Sequence, residues 1–396
     1  MSALEGTRII DLSTGVAGGF CTKLLADFGA DVIKIEPLRV DDGLRSIGPF
    51  ADRSAASETG ALHLYLNTSK RSITLNLETP SGRLLLRRLL SQSDALVDDR
   101  PVGTLEAKGF DGDRLAEQFP RLVVTQLSAF GQSGPYASTP STNLTSFAAG
   151  GQMAATGDPD REPLKNGGFQ AVYQLGLNGF TATLAGLWAA ADSGSGDTID
   201  VAAMECMAST LEVMLNTYCY AKIDYWSGRK GNVLSAVLGL FPCEDGYIGV
   251  HAMPRNFPAL ARLMDAEWML EDERFRDSAS RLANDDELRA MVYAWASQQE
   301  KKVAYQRAGE TRAPIAYVHE MGDLFTSPQL QARNYLQQIE HPLAGTLTYP
   351  GPLFRMTDTP AAPRRAPLLG EHTDQVLAEL GLQPRDIDVL RGTGVI

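Results

Sequence analysis

The sequence predicts an α/β protein built around a parallel β-sheet, together with a second domain. Its first residues read as strand, helix and strand: an apolar run at 8–13, a helical pattern at 20–28, and a second apolar run at 31–36. Such a βαβ unit implies two parallel strands joined by a right-handed crossover. Further strand-like runs occur at 95–97, 122–127 and 197–201. At 396 residues the chain is too long for one ordinary core, so we expect two domains.

Composition and charge exclude several classes of protein. The formal net charge is −12 and no run of Lys or Arg is present, which argues against a nucleic-acid partner. The four cysteines lack CxxC spacing, and the five histidines lack HxxxH or HExxH spacing, so no metal site is predicted. The first residues do not have the pattern of a secretory signal. We therefore expect a cytoplasmic protein with reduced thiols.

Residues 163–192 are the stretch around which we interpret the rest of the chain. They open with Gly167 and Gly168, which permit a tight turn or a close approach to a ligand. The apolar run that follows has small residues on one helical face, at Gly176, Gly179, Ala182, Ala185 or Gly186, and Ala189. Because polar residues interrupt this run and no basic flank accompanies it, a buried central helix is favoured over a membrane span. Residues 167–175 are the candidate active-site segment; the alternative is a loop that only enters a core helix.

Two loops follow predicted strands, at the position where open α/β sheets bind ligands. Residues 14–19 lack the GxGxxG spacing of a dinucleotide site, but the backbone amides there would suit a phosphate or another polar ligand. Residues 128–136 form a second loop that contains glycine. Between these loops, we predict that residues 64–77 are a pair of strands broken at Lys70 and Arg71.

Six blocks of the sequence together resemble the family III CoA-transferases, the group that contains formyl-CoA transferase, carnitine CoA-transferase and α-methylacyl-CoA racemase. The blocks have the family's order and spacing: LLADFGADVIKIE (24–36), NTSKRSITLNL (67–77), SAFGQSGPY (128–136), FPCEDGYIGV (241–250), SPQLQARNY (327–335) and LLGEHTDQVLAELGL (368–382). The resemblance covers essentially the whole chain.

The resemblance implies a Rossmann-like large domain built from residues 1–221 and 326–396, with a smaller α/β domain inserted at 222–325. It implies interlocked subunits, in a homodimer or in a heterodimer with a catalytic paralogue. CoA or an acyl-CoA would be the substrate or ligand, with no tightly bound cofactor. The CoA-binding residues that it implies are Val16, Ala17, Lys70, Arg71 and Arg100. The three cations among them would meet CoA phosphates through charge-assisted hydrogen bonds; the alternative for the Lys-Arg pair is a solvated surface.

In the transferases of this family one aspartate carries the chemistry. Its carboxylate attacks the acyl-CoA thioester to form a mixed anhydride, and then becomes an aspartyl-CoA thioester that the acceptor acid attacks. The resemblance places this aspartate four residues before Gly176, where the chain has Val172. Valine cannot form an acyl adduct, so we predict no catalytic residue there. The carboxylates that could substitute lie on a preceding polar segment: Asp158, Asp160 and Glu162.

The racemase branch of the family would require a His-Asp pair after the second loop, and those positions hold Thr142 and Asn143. No acid–base pair for α-proton exchange is left there. Three interpretations remain open. In the first, the chain is a non-catalytic subunit of a heteromeric CoA-transferase for an organic acid, like the two-subunit benzylsuccinate CoA-transferases. In the second it is a divergent acyl-CoA enzyme of racemase or lyase type, and in the third it binds CoA without catalysis.

Overall fold

The computed structural model describes residues 2–39, 43–52, 56–157, 160–222 and 237–396. The strands are β1 (Arg8–Asp11), β2 (Asp31–Glu36), β3 (Arg71–Thr74), β4 (Ala95–Asp98), β5 (Val123–Ser128), β6 (Thr198–Ala202), β7 (Val237–Cys243), β8 (Gly246–Ala252), β9 (Ile315–Tyr317), β10 (Leu336–His341) and β11 (Gly345–Pro350). The α-helices are α1 (Val16–Asp27), α2 (Ala56–Thr59), α3 (Ala61–Leu66), α4 (Pro80–Leu90), α5 (Gly112–Gln118), α6 (Asn143–Ala149), α7 (Gln170–Ser193), α8 (Ala203–Ser209), α9 (Glu212–Ala221), α10 (Phe257–Leu263), α11 (Ser278–Ala283), α12 (Asp285–Ala296), α13 (Lys301–Thr311), α14 (Met321–Thr326), α15 (Pro328–Ala332), α16 (Thr373–Glu379) and α17 (Pro384–Gly392).

Six strands form a parallel sheet in the order β3-β2-β1-β4-β5-β6. This sheet confirms the predicted α/β class, and the predicted βαβ unit is present as β1, α1 and β2. From β1 the chain order runs to one side of the sheet through β2 and β3, and from β4 it runs to the other side through β5 and β6. The direction of the strand order therefore reverses between β1 and β4. Open α/β sheets bind ligands at such a reversal, outside the carboxyl ends of the strands.

The strands are continuous apolar runs because helices cover both faces of the sheet. Successive strand residues point to opposite faces. Ile10 and Leu96 therefore belong to a core shared with α4, α16 and α17. Their neighbours in sequence, Ile9 and Val97, belong to a second core shared with α1 and α7. The two cores fix the positions of the loops at the strand ends, where the candidate site lies.

Helix α7 packs against α1 and the sheet through its glycines, as the sequence predicts. A Cβ atom at Gly176 would lie 2.5 Å from the carbonyl oxygen of Ala17, and one at Gly179 would lie 2.7 Å from the side chain of Leu127. Both distances are too short for a carbon atom, so glycine is what allows the helix to approach this closely. The prediction of a buried helix is wrong for the outer face, since Trp188 of α7 is 82% exposed.

The predicted pair of strands at residues 64–77 is also wrong in its first half. These residues are the end of α3, a connection, and strand β3. The apolar residues Leu64 and Leu66 fit the two-residue period of a strand, but so short a run fits one turn of a helix equally well. The consequence is that β3 begins only at Arg71, which places this side chain at the amino end of the strand.

The chain divides into two compact units. The first contains Met1–Met153, Leu164–Tyr220 and Asn334–Ile396, and the second contains Ala154–Pro163 and Ala221–Arg333. Relative to the predicted insertion at 222–325, the second unit also includes a segment before α7 and residues 326–333. It has an antiparallel sheet in the order β7-β8-β9, whose apolar side chains share a core with α10, α12 and α13. Across the described ranges, no helix has the length and apolarity needed to cross a bilayer.

Candidate functional site

The loop before α1 lies at the reversal of strand order, and the carboxylate of Asp99 binds its backbone amides. One oxygen of Asp99 accepts the N–H of Thr14 at 2.7 Å, and the other accepts those of Gly15 at 3.1 Å and Gly18 at 2.9 Å. A helix amino terminus attracts anions, and here the anion is a side chain of the same chain. The expectation that these amides bind a phosphate is therefore wrong for these three residues.

Val16 and Ala17 form the first turn of α1, and both are buried. Their backbone N–H groups are not among those that Asp99 accepts. The carbonyl of Ala17 lies against Gly176 of α7, one helical turn after Val172. The turn that was predicted to contact CoA therefore lies beside the helix turn that holds the predicted nucleophile position. The contact of this turn with CoA stays a prediction.

A cleft of about 400 Å³ opens outside the carboxyl ends of β1, β2 and β3, and we call it the carboxyl-edge cleft. The apolar side chains that line it lie at or just after the ends of these strands: Leu12, Ile35, Pro37, Leu38, Leu75 and Leu77. The charged residues that line it are three cations, Arg39, Arg100 and Lys108, and two carboxylates, Glu36 and Glu78, which pair with Arg45 and Lys108. An apolar surface beside several cations suits an aromatic group that carries phosphates.

The three cations of the carboxyl-edge cleft are held to different extents. Arg100 donates from Nε to Asp98 at 2.7 Å and from Nη2 to its second oxygen at 3.3 Å. Burial raises the pKa of Asp98, and the charge and hydrogen bonds of Arg100 oppose this only in part. Lys108 forms an ion pair with Glu78, whereas Arg39 is exposed. Arg100 thus has a fixed orientation, with Nη1 as the donor nitrogen that Asp98 does not use.

Lys70 is buried elsewhere, at 3% exposure. Its ammonium group donates to Asp11 Oδ2 at 2.9 Å, Asn67 Oδ1 at 3.0 Å and the carbonyl of Gly19 at 3.1 Å. Burial lowers the pKa of Lys70 to about 8, although the charge of Asp11 opposes the change. Burial also raises the pKa of Asp11, but Lys34 and Lys70 outweigh this and hold it well below its usual range. An ammonium group has three N–H donors, so this geometry does not support the predicted contact with CoA.

Arg71 lies at the opposite edge of the sheet from the carboxyl-edge cleft. Its Nε and Nη2 donate to Asp31 at 2.8 and 2.6 Å, and its Nη1 donates to Glu379 at 2.7 Å. The geometry therefore separates the three cations that were predicted to share the CoA phosphates. Of that set, Arg100 alone lines the carboxyl-edge cleft.

Sequence reasoning missed Arg39 and Lys108. Arg39 follows the end of β2 by three residues, and position just after a strand is the signal that could have identified it. Lys108 ends a short 3₁₀ helix that follows Arg100 by a few residues. No local pattern marks Lys108, because its place in the cleft depends on how this connection folds back toward β3.

The first turn of α7 contains Val172 and no carboxylate. Asn143, the first residue of α6, caps this turn. Its Oδ1 accepts the N–H groups of Ala171 at 3.0 Å and Val172 at 3.4 Å, and its Nδ2 donates to the carbonyl of Gly168 at 3.2 Å. Asn143 stands where the racemase branch would need an acid–base group. Here its side chain has a structural role, because it orients the helix turn that presents Val172.

The three carboxylates that could replace the nucleophile are not on this turn. Asp158 lies outside the described residues. Asp160 and Glu162 are exposed, and their segment groups with the second unit. In the part of the chain that the structure describes, no group of His, Cys, Asp or Glu side chains is arranged to hold a metal ion.

The sheet order and the carboxyl-edge cleft define a Rossmann-like α/β protein whose site suits a phosphate-bearing ligand. The profile of CoA-transferase family III matches residues 4–373, and the chain belongs to this family. The resemblance drawn from the six sequence blocks is thereby confirmed. CoA-transferases use CoA thioesters as substrates.

Proteins similar to this chain match over nearly its full length. It is 32% identical over 400 residues to the succinyl-CoA–L-malate CoA-transferase beta subunit of Chloroflexus aurantiacus, with 99% of this chain and 98% of the relative covered. It is 30% identical over 403 residues to the succinyl-CoA:(R)-benzylsuccinate CoA-transferase subunit BbsE of Thauera aromatica, with 98% and 97% covered. A solved structure of a CAIB/BAIF family protein from Brucella suis matches with a TM-score of 0.85 at 30% identity, covering 96% of this chain and 99% of that one.

Proposed function

We propose that this chain is a non-catalytic subunit of a heteromeric CoA-transferase for an organic acid. It binds an acyl-CoA, while a related subunit supplies the nucleophilic carboxylate. The observation that carries the proposal is Val172, an aliphatic side chain on a capped helix turn, at the position where the resemblance to the family places the nucleophilic carboxylate. Two of the similar proteins are named as subunits of CoA-transferases, which supports a heteromeric assembly.

The carboxyl-edge cleft is the proposed site of the CoA nucleotide. The phosphates would meet Arg39, Arg100 and Lys108, and the adenine would lie on the apolar lining. The turn of Val16 and Ala17 would then direct the acyl arm toward α7, which it contacts. CoA acts here as substrate or ligand, and no tightly bound cofactor is part of the proposal.

The proposed subunit is part of an interlocked dimer, with a catalytic paralogue or with a second copy. Support comes from large aromatic side chains that the described chain leaves uncovered: Trp188 on α7 is 82% exposed and Tyr220 on α9 is 88% exposed. Exposed apolar groups of this size are typical of protein–protein contacts. Light scattering at micromolar concentration is expected to show a dimer, and a stable folded monomer would contradict the assembly.

The division of labour follows from the chemistry of acyl transfer. A carboxylate must come within about 3–3.5 Å of the thioester carbon to attack it, expelling the CoA thiolate and forming an anhydride. The thiolate then attacks the anhydride on the enzyme's side and releases the first acid. Val172 offers only methyl groups for such an attack, so neither covalent intermediate can form on it.

Intact-mass analysis with hydroxylamine trapping tests the proposal. We expect the purified chain alone to show no hydroxamate after incubation with succinyl-CoA, the donor named for several similar proteins. Co-purified from its host with its paralogue, the complex should carry the hydroxamate on the paralogue. A hydroxamate on any residue of this chain, or turnover by this chain alone, would overturn the proposal in favour of a divergent enzyme.

A further inference from the structure

A second and larger cleft, of about 610 Å³, lies at the amino end of the sheet, and we call it the amino-edge cleft. Arg8, Asp31 and Arg71, the first residues of β1, β2 and β3, line it. The rest of its lining comes mainly from the carboxyl-terminal part of the chain, including α16. Strand β2 alone spans roughly 20 Å, so this cleft is separate from the carboxyl-edge cleft.

Four charged side chains of this cleft neutralise one another, and we call them the amino-edge ring: Arg8, Asp31, Arg71 and Glu379. Arg8 donates to Asp31 at 2.8 Å and to Glu379 at 3.2 Å. Arg71 donates to the same two carboxylates. The ring contains two arginines and two carboxylates, so it forms a fixed wall without net charge.

Arg364 also lines this cleft, and among the described residues it has no carboxylate partner. Its backbone is fixed by two hydrogen bonds with Ser69, at 3.1 and 2.9 Å, but its side chain is exposed. Its guanidinium makes no hydrogen bond or ion pair with any residue that the structure describes. The neighbouring Arg365, by contrast, pairs with Glu371. A guanidinium offers five N–H donors, and those of Arg364 are available to a ligand.

His372 adds a second donor to the lining. Its Nδ1 accepts the backbone N–H of Ser72 at 3.3 Å, so in the neutral ring the proton is on Nε2. Burial lowers the pKa of His372, and the charges of Arg71, Arg365 and Arg364 lower it further against the effect of Glu371. The neutral ring is therefore favoured, and the positive field that favours it would also attract an anion.

We propose that the amino-edge cleft binds an organic anion whose phosphate or carboxylate group contacts Arg364 and His372. The planar fork of an arginine matches both groups with two parallel hydrogen bonds. The cleft volume lies within the range of roughly 300–1,000 Å³ typical of small-molecule sites, so the anion is part of an organic molecule. This site is independent of the CoA site proposed above.

Calorimetric titration of the full chain with pyrophosphate and with succinate tests the proposal and separates the two anion types. All chains carry Arg39→Gln, which weakens phosphate binding in the carboxyl-edge cleft. In this background at least one probe should bind, and adding Arg364→Gln should raise the Kd of that probe about tenfold or more. Arg385→Gln on α17 is the matched control, because it removes the same charge from an exposed residue outside both clefts; it should leave the affinity unchanged.

His372→Gln is a second variant, which should weaken the same probe without changing the circular dichroism spectrum. Equal affinities in the Arg364→Gln and Arg385→Gln chains would overturn the proposal. So would the absence of heat with both probes at millimolar concentration. Because Arg364 and Arg385 both lie outside the carboxyl-edge cleft, the comparison of these two variants does not depend on whether CoA binds there.

Discussion

The two edges of the central sheet use their charged residues differently. At the amino edge, the amino-edge ring joins two arginines to two carboxylates from three strands and from α16. At the carboxyl edge, Arg100 and Lys108 each have one carboxylate partner and still line a cleft beside the exposed Arg39. The four charges of the amino-edge ring are paired with one another, whereas Nη1 of Arg100 and the exposed Arg39 remain available to a ligand at the carboxyl edge.

This difference explains why Lys70, Arg71 and Arg100 do not form one phosphate site. Residues that precede a parallel strand and residues that follow one lie at opposite edges of the sheet. Lys70 and Arg71 stand at the start of β3, and Arg100 follows the end of β4. In this sheet, Arg100, which follows a strand, is therefore a better candidate contact for the CoA phosphates than Lys70 or Arg71, which stand at the start of one.

The largest expected effect is that of Lys70→Met. Removing this ammonium leaves the buried carboxylate of Asp11 without its closest cation, and breaking one side of a buried pair costs about 3–5 kcal/mol. Urea unfolding measures this loss of unfolding free energy, while the folded fraction should bind CoA as the unaltered chain does.

Lys108→Met is the matched control for Lys70→Met, and it should lower CoA affinity while leaving stability nearly unchanged. Its partner Glu78 is largely exposed, so stability should change by less than about 1 kcal/mol, and CoA affinity should fall. If Lys70→Met lost CoA affinity and kept its unfolding free energy, Lys70 would be a contact of the CoA phosphates, as the sequence predicts.

The next effect concerns acid stability and Glu36, the last residue of β2. Burial raises the pKa of Glu36, but hydrogen bonds from Arg45 at 2.7 and 2.9 Å outweigh it and bring the pKa to about 2. A carboxyl pKa that is lower in the folded state stabilises the protein above about pH 4.5. That contribution, about 3 kcal/mol, is lost as the pH falls toward 2.

Glu36→Gln should therefore flatten the dependence of unfolding free energy on pH between about 4.5 and 2. Denaturant unfolding at several pH values measures the slope. Glu371 has a pKa of about 2 as well, yet it lies with Arg365 nearer the surface. Glu371→Gln should consequently change the slope less. Equal slopes in the unaltered, Glu36→Gln and Glu371→Gln chains would contradict the role given to Glu36.

A smaller loss is expected for Asp99→Ala. Its carboxylate is the acceptor for three backbone N–H groups at the start of α1. Leaving them without this partner should cost about 2 kcal/mol of unfolding free energy. Asp99→Asn retains one acceptor oxygen and should lose less. Thermal unfolding of the unaltered, Asp99→Asn and Asp99→Ala chains gives their order of stability. An alanine variant as stable as the unaltered chain would show that these amides do not need the carboxylate.

Local patterns account for what could be predicted from the sequence. The βαβ unit and the glycine face of α7 depend on residues a few positions apart, as does the lack of a carboxylate around Val172. The partners of Lys70 and Asp99 could not be predicted in this way. Asp11 is 59 residues from Lys70, and Thr14 is 85 residues from Asp99. Such pairs are set by sheet order, which no short pattern encodes.

The smallest effect, and the most direct test of the carboxyl edge, is that of Arg100→Gln on CoA affinity. A glutamine can still donate one hydrogen bond to Asp98, and the pKa of that buried carboxyl is already raised, so the fold should be retained. What is lost is a charge-assisted contact with a phosphate, which corresponds to about a tenfold higher Kd. Arg71→Gln is the control from the amino edge and should leave the Kd unchanged, although it should reduce stability by breaking the amino-edge ring. Calorimetric titration with CoA compares the two. If Arg71→Gln weakened CoA binding and Arg100→Gln did not, the CoA phosphates would belong at the amino ends of the strands, and the distinction between the two edges would fail.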